Sequence, residues 1–247
     1  MESVLDRVIK QNTENVNLLK TKDYNIFSVL QIQSKEVLIC RMIADLLNPR
    51  GQHGAGAEYL KIFLRDCLGM EKMDTKLADQ AIVTAEYAID DERRIDIVIE
   101  IGSYFLPIEV KIYAADQKSQ CFDYYQYAKR RDAQAKVYYL TLDGHRPGKD
   151  STSSGSQSVP EEDIVCLSFR EHILNWLKAC KSCENTGMIP ILEQFIRNIE
   201  QISGYTSERV RNMVIDELLT SGDSLRAGMQ IADSVNVAKA KQFCSKL

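Results

Sequence analysis

Residues 95–112, IDIVIEIGSYFLPIEVKI, constrain the fold more than any other stretch of this chain. Apolar residues alternate with a period of two on both sides of Gly102-Ser103, and β-branched residues dominate. The segment therefore reads as two strands joined by a hairpin. Glycine at the first central position suits a type II′ turn. That turn sets Ile101 opposite Tyr104 and Ile97 opposite Ile108, and by extension Asp96 opposite Glu109 and Arg94 opposite Lys111. Residues that face each other across a ladder point to the same side of the sheet. Two carboxylates and a lysine thus share one face, while Ile95, Ile97, Ile99, Ile101, Ile108, Val110 and Ile112 form the other.

Carboxylates opposed at ~5 Å repel by roughly 3 kcal/mol at an effective dielectric near 20. A bridging cation, a shared proton or flanking basic groups must offset that. Mg²⁺ suits the arrangement, because it takes one or two carboxylates and fills its shell with water and substrate phosphate. A water held by such an ion is a stronger nucleophile at neutral pH. Lys111, on the same face, would orient that water or neutralise a phosphate oxygen. From the residues alone a second reading stays open: Arg94, Asp96, Glu109 and Lys111 as a solvated cross-strand ion lattice with no ligand.

Around the hairpin the chain is mostly helical in pattern. Val4, Leu5, Val8 and Ile9 recur at helical spacing, as do Val37, Cys40, Ile43 and Leu47 in SKEVLICRMIADLL. Asn48-Pro49 ends that helix, NPRGQHGAG is a glycine-rich loop, and AEYLKIFLRDCLG is a third helix closed by Gly69. AIVTAEYAI precedes the hairpin as a strand. A helix is predicted from Ala114 to Arg131, followed by the strand KVYYLTL, an aperiodic polar loop over residues 143–163, and the short strand IVCLS. FREHILNWLKACKSC and IPILEQFIRNIEQISG read as helices. Residues 1–205 are taken as one domain and 206–247 as a helical extension. Strands enclosed by helices, one of them crossing between strands, define an α/β class with a central mixed sheet.

Composition sets the limits. With 45% hydrophobic and 27% charged residues, the 247-residue chain is globular in character. It shows no apolar run of the roughly 18–20 residues that span a bilayer and no signal-peptide pattern at its start, so a cytoplasmic, membrane-free protein is expected. Seven scattered cysteines do not form a disulfide framework. The CxxC of Cys180 and Cys183 lacks a second ligand pair, so packing is preferred over zinc. Net charge is −4, with basic residues gathered only locally at Arg93-Arg94 and Lys129-Arg130-Arg131, so composition by itself does not point to nucleic acid.

Asp96 before the turn and Glu109-Val110-Lys111 after it resemble the signature of the PD-(D/E)XK nuclease superfamily, with Ile95 in place of the nominal proline. NIFSVLQIQSKEVLICRMIADLLNPRGQHGAG, RRIDIVIEIG, IEVKIYAADQKSQCFDYYQYA, VYYLTLDG and ILEQFIRNIEQISG resemble, in order, a bacterial subfamily of that group over roughly residues 24 to 205. The resemblance implies a restriction-endonuclease-like core. It gives Asp96, Glu109 and the backbone carbonyl of Val110 to Mg²⁺ or Mn²⁺, and Lys111 to the attacking water. Glu36 matches a position where a third carboxylate often joins. Gln117, Gln120 and Tyr124 resemble the QxxxY helix of RecB-like nucleases. Implied with these are hydrolysis of nucleic acid, DNA ahead of RNA, and a homodimer where both strands are cut. The alternative is a nuclease fold without turnover that binds nucleic acid or protein. The sequence departs from the pattern at Ile39, where a histidine is expected, and relatives continue beyond VAKAKQFCSKL. His53 receives no chemical role.

Overall fold

The computed structural model describes residues 24–71, 74–183, 186–204, 215–216, 218–226 and 228–230. Asn25–Ser203 form one compact unit, and Met1–Tyr24 with Gly204–Leu247 form another. In the second unit, residues 215–216, 218–219, 222–226 and 228–230 are helical. The helix read from Val4, Leu5, Val8 and Ile9 lies outside the described residues, as does most of the tail.

The larger unit is built on a five-stranded sheet in the order β1-β2-β3-β4-β5. Its strands are β1 (Ile82–Ala88), β2 (Arg94–Ile101), β3 (Tyr104–Lys111), β4 (Val137–Thr141) and β5 (Ile164–Ser168). The first three run antiparallel because short turns join them. The last three run parallel because each connection must cross back over the sheet. The result is the mixed sheet expected of a restriction-endonuclease-like core.

The hairpin turns as its sequence requires. Gly102 takes φ +58°, and Ile101 pairs with Tyr104 and Ile97 with Ile108. Pro107 is tolerated because its missing N–H would point to the β4 edge, whose ladder begins only at Ile108 opposite Tyr138. The two-faced pattern of the sequence is not matched by one wet and one dry face: every residue from Phe105 to Lys111 is buried. Helices on both sides of the sheet account for this.

One covering helix is α2 (Glu36–Leu47), preceded by the single turn α1 (Ile26–Val29). Ile39, Cys40, Ile43, Leu46 and Leu47 form its buried stripe against β1–β3. Each such aliphatic side chain contributes about 1.5–3 kcal/mol when fully buried. The other is α4 (Gln120–Arg131), whose Cys121, Tyr124 and Ala128 pack on Phe105, Val137 and Tyr139. A helical group of α3 (Glu58–Asp66), α5 (Leu174–Cys180) and α6 (Ile189–Ile202) completes the unit. Within it the Trp176 indole donates to the Tyr59 carbonyl at 2.8 Å.

Two predicted elements are corrected. The helix of 114–131 begins only at Gln120, after Ser119 in a left-handed conformation (φ +57°). Residues 112–119 are drawn across the end of β4 instead, because Asp116 accepts from the Tyr139 hydroxyl (2.6 Å) and the Gly148 N–H (2.7 Å). The polar stretch 143–163 is also not featureless. It carries a helical turn at Lys149–Thr152, a hairpin pairing Ser153–Ser154 with Gln157–Ser158, and a 3-10 turn at Glu161–Asp163. Its polar groups serve the start of α4: Asp150 accepts from the Ser119 N–H (2.7 Å), and Ser151, fully buried, accepts from the Cys121 N–H (3.3 Å). Pieces this short leave no periodicity to read.

Candidate active site

The site lies where the sheet opens. The β2–β3 ladder stops at Ile97 opposite Ile108, so the expected pairings of Asp96 with Glu109 and Arg94 with Lys111 do not continue it. From there β2 stays on β1 through Ile95 and Arg94, while β3 stays on β4 through Glu109, Val110 and Lys111. The β3 edge that loses its partner is taken over by side chains. Asp96 Oδ2 accepts from the Val110 N–H at 2.7 Å, and Glu36 Oε2 accepts from the Ile112 N–H at 2.8 Å. In an extended strand a residue's N–H and C=O lie on the same edge, so the Val110 carbonyl also faces this opening.

Glu109 is 1% exposed, and one of its oxygens lies 2.5 Å from the Lys111 ammonium, itself 8% exposed. Its other oxygen, Oε2, is buried and has no hydrogen-bond donor. Burial, then the charge of Asp96, pushes the Glu109 carboxyl well above the usual range. Burial also raises Asp96, against the Val110 N–H that favours its charged form. The two carboxyls crowd one another, each among the groups that shift the other. For Lys111, burial favours the neutral amine, but Glu109, Asp96 and Glu36 together outweigh it and raise its pKa. A solvated ion lattice needs water around every member, and here Glu109 and Lys111 have almost none.

The donor set matches a hard divalent cation. Two adjacent carboxylates, one with an orphaned oxygen, and a strand carbonyl are oxygen ligands, and Mg²⁺ needs only one or two protein carboxylates. Among the described residues no group of three His, Cys, Asp or Glu side chains is arranged around a common metal position. Glu36 is accordingly engaged by the backbone. Cys180 and Cys183 meet in a turn, Cys183 N–H to Cys180 O at 3.1 Å, and Cys180 is buried. Among the described residues they have no third and fourth ligands of the kind structural zinc requires.

Support comes from both helical layers. The Tyr124 hydroxyl donates to the Arg94 carbonyl (2.5 Å) and accepts from Gln120 Nε2 (3.0 Å), which fixes β2 two residues before Asp96. Gln120 Oε1 is a second buried acceptor without a donor. Gln117 stands apart from this pair, before the helix, and accepts from Arg93 at 2.9 Å. Arg93 also bonds Asp123 (3.0 Å) and the Lys118 carbonyl (2.6 Å), clamping the connection from β3 to α4. His53, 3% exposed, accepts from the Ala55 N–H at 3.0 Å and donates to the Asn48 carbonyl at 2.9 Å, so it holds its own loop. Ile39 is fully buried within α2.

Two contributors are not apparent in the sequence. Glu86 occupies the β1 register position facing Asp96, with φ +54°, and its carboxylate is neutralised by Arg41 at 2.6 Å. Cys40, fully buried, lies within the field of Asp96, Glu36 and Glu109, and burial above all keeps it a neutral thiol. The odd φ of Glu86 leaves no composition signal. Cys40 reads as one more apolar residue of the α2 stripe.

A mixed sheet that parts between β2 and β3, with Asp96, Glu109 and Lys111 gathered at the parting, defines a nuclease-type α/β protein. The family model described as the PD-(D/E)XK nuclease superfamily matches residues 24–197, and the chain belongs to that family. No curated protein and no solved structure matches it significantly. Among the described residues no helix is long and apolar enough to cross a membrane.

Proposed function

We propose that this chain hydrolyses phosphodiester bonds, in DNA ahead of RNA, with Mg²⁺ or Mn²⁺ held by Asp96, Glu109 and the Val110 carbonyl. The observation that carries this reading is Glu109, a carboxylate 1% exposed whose second oxygen has no donor, beside the half-buried Asp96. A divalent ion bound there supplies a water of lowered pKa and stabilises negative charge on the phosphoryl group. Asp96 keeps one oxygen on the Val110 N–H. Lys111, once Glu109 is otherwise neutralised, directs its ammonium to the attacking water or to a phosphate oxygen. Glu36 fixes the end of β3 through Ile112, and Gln120, through Tyr124, fixes the approach of β2. Both serve the reaction by holding the strands that bear the acids.

Calorimetric titration of Mg²⁺ and Mn²⁺ into the wild type and Asp96→Ala, with parallel cleavage of a duplex and a single strand, tests the reading. Metal binding and cleavage by the wild type alone are expected. Cleavage that survives in Asp96→Ala, Glu109→Ala or Lys111→Ala overturns it. A second reading, a nuclease fold without turnover that binds nucleic acid or a protein, draws on the net charge of −4 and on the ion-paired basic clusters, where Lys129 meets Asp163 and Arg131 meets Glu100. It expects binding that Asp96→Ala leaves intact.

A further inference from the structure

Beyond Lys111 the chain leaves the sheet through Ile112 and Tyr113. Ile112 is buried and its N–H is held by Glu36, so the backbone entering Tyr113 is fixed. Yet Tyr113 is 70% exposed, the highest value among the large apolar side chains of the described residues. Val37 and Leu38, which directly follow Glu36 in α2, are 43% and 39% exposed. An aromatic ring left in water on a pinned backbone forgoes one of the largest burial gains available to a side chain. The lip that Glu36 joins to the site is therefore largely apolar, with Lys35 as an exposed cation beside it.

The charges point the same way. A duplex offers two rails of phosphates and is gripped by clustered Lys and Arg. In this chain three members of the basic clusters are spent on carboxylates, Arg93 on Asp123, Lys129 on Asp163 and Arg131 on Glu100, which leaves Arg94 and Arg130 as separate exposed cations. Two residues past Lys111 stands an exposed ring, and exposed cations are scattered singly: Lys35 before Glu36, Arg94 two residues before Asp96, and Lys118 and Lys149 on two segments tied by the Ser119 N–H to Asp150 carbonyl bond. An aromatic face with scattered cations is how proteins hold single strands, whose unpaired bases stack while the backbone meets isolated positive charges.

We propose that Tyr113 is the stacking platform for an unpaired nucleobase beside the scissile phosphate, so that the site takes single-stranded nucleic acid in preference to duplex. This rests on the nuclease reading above. The test uses the full chain and fluorescein-labelled oligothymidylate or a mixed-sequence duplex, with anisotropy in Ca²⁺ for affinity and gel assays in Mg²⁺ for turnover. Tyr113→Ala should weaken oligothymidylate binding about tenfold, raise KM by a similar factor, leave kcat unchanged and leave duplex affinity unaltered. Tyr113→Trp should restore binding and Tyr113→Leu should not, which separates stacking from mere apolarity.

Failure of the wild type to bind oligothymidylate overturns the proposal. So does unchanged affinity in Tyr113→Ala, or an equal loss on duplex. The two readings fail separately. Cleavage with unchanged oligothymidylate affinity in Tyr113→Ala removes the platform and keeps the nuclease. Loss of affinity in a protein that cleaves nothing keeps the platform and removes the nuclease.

Discussion

Replacing Lys111 with methionine removes the charge beside Glu109 and keeps an apolar stem of similar length. Glu109 then has no partner on either oxygen: Oε2 has no donor, and Oε1 loses the ammonium at 2.5 Å. Removing one member of a buried ion pair costs about 3–5 kcal/mol when the remaining charge persists. Glu109 can escape that penalty by taking up a proton, so the loss depends on pH. Its carboxyl already sits well above the usual 4.5, through burial and then Asp96, and losing Lys111 raises it further. An acid raised in the folded state contributes its stability below its unfolded pKa and loses it as pH rises through the folded one.

The variant should therefore be as stable as the wild type, or more so, near about pH 5, and weaker by about 3–5 kcal/mol near about pH 8.5. With a urea m-value of about 2 kcal/mol/M, the midpoint falls by roughly 1.5–2.5 M at the higher pH. Urea titrations followed by circular dichroism, in EDTA at both pH values, measure it. An equal loss at both would show that the lysine stem packs rather than neutralises. No loss at either would show that the pair contributes nothing, and the electrostatic account of the site would fail.

Three further outcomes are expected. Tyr124→Phe leaves the Arg94 carbonyl and Gln120 Nε2 without their shared partner; at about 1–3 kcal/mol for each buried orphan, chemical denaturation should show a loss of roughly 2–4 kcal/mol. Gly51→Ala drives a methyl against the Asp45 carbonyl and within 2.6 Å of the His53 ring, and overpacking of this kind should lower stability by about 1–3 kcal/mol in the same assay. His172, whose Nδ1 accepts from the Ser168 N–H at 3.1 Å, is held below the usual 6.5 by burial; its contribution is full above about pH 6.5 and is lost as pH falls through the folded value, so between pH 7.5 and 5.5 the wild type should lose more stability than His172→Gln.

The hairpin was legible because two independent signals agree, the period of two and the Gly102-Ser103 turn, and a shift by one residue would have moved every isoleucine of β2 to the face that carries Asp96 and Glu100. The end of that ladder was not legible. It depends on β1 and β4 pulling β2 and β3 apart, and on Asp96 reaching the Val110 N–H in place of a strand carbonyl, neither of which alters the alternation. The early start given to α4 has a similar cause: residues 114–119 are compatible with a helix, and tertiary bonds hold them out of it, Asp116 to Tyr139 and Gly148, Arg93 to Gln117 and Lys118, and Ser119 to Asp150. Tyr113 left no trace, since a tyrosine after a strand gives no hint of whether its ring is covered.

The same opening explains why the acids stand where they do. A β-strand that loses its neighbour must find acceptors for its N–H groups, because an unpaired buried donor costs free energy comparable to a lost hydrogen bond. Asp96 and Glu36 meet that need at Val110 and Ile112, and so bind the carboxylates to the backbone. Glu109 has no such duty. Its charge is desolvated, its second oxygen is unpartnered, and the ion pair with Lys111 is of the kind that apolar residues of similar volume often replace with no loss of stability. The fold gains nothing evident from keeping a carboxylate there. A cation brought in from solvent would neutralise Glu109 and Asp96 together and free Lys111 for substrate, which makes this least stabilising residue of the opening the one whose presence binding best explains.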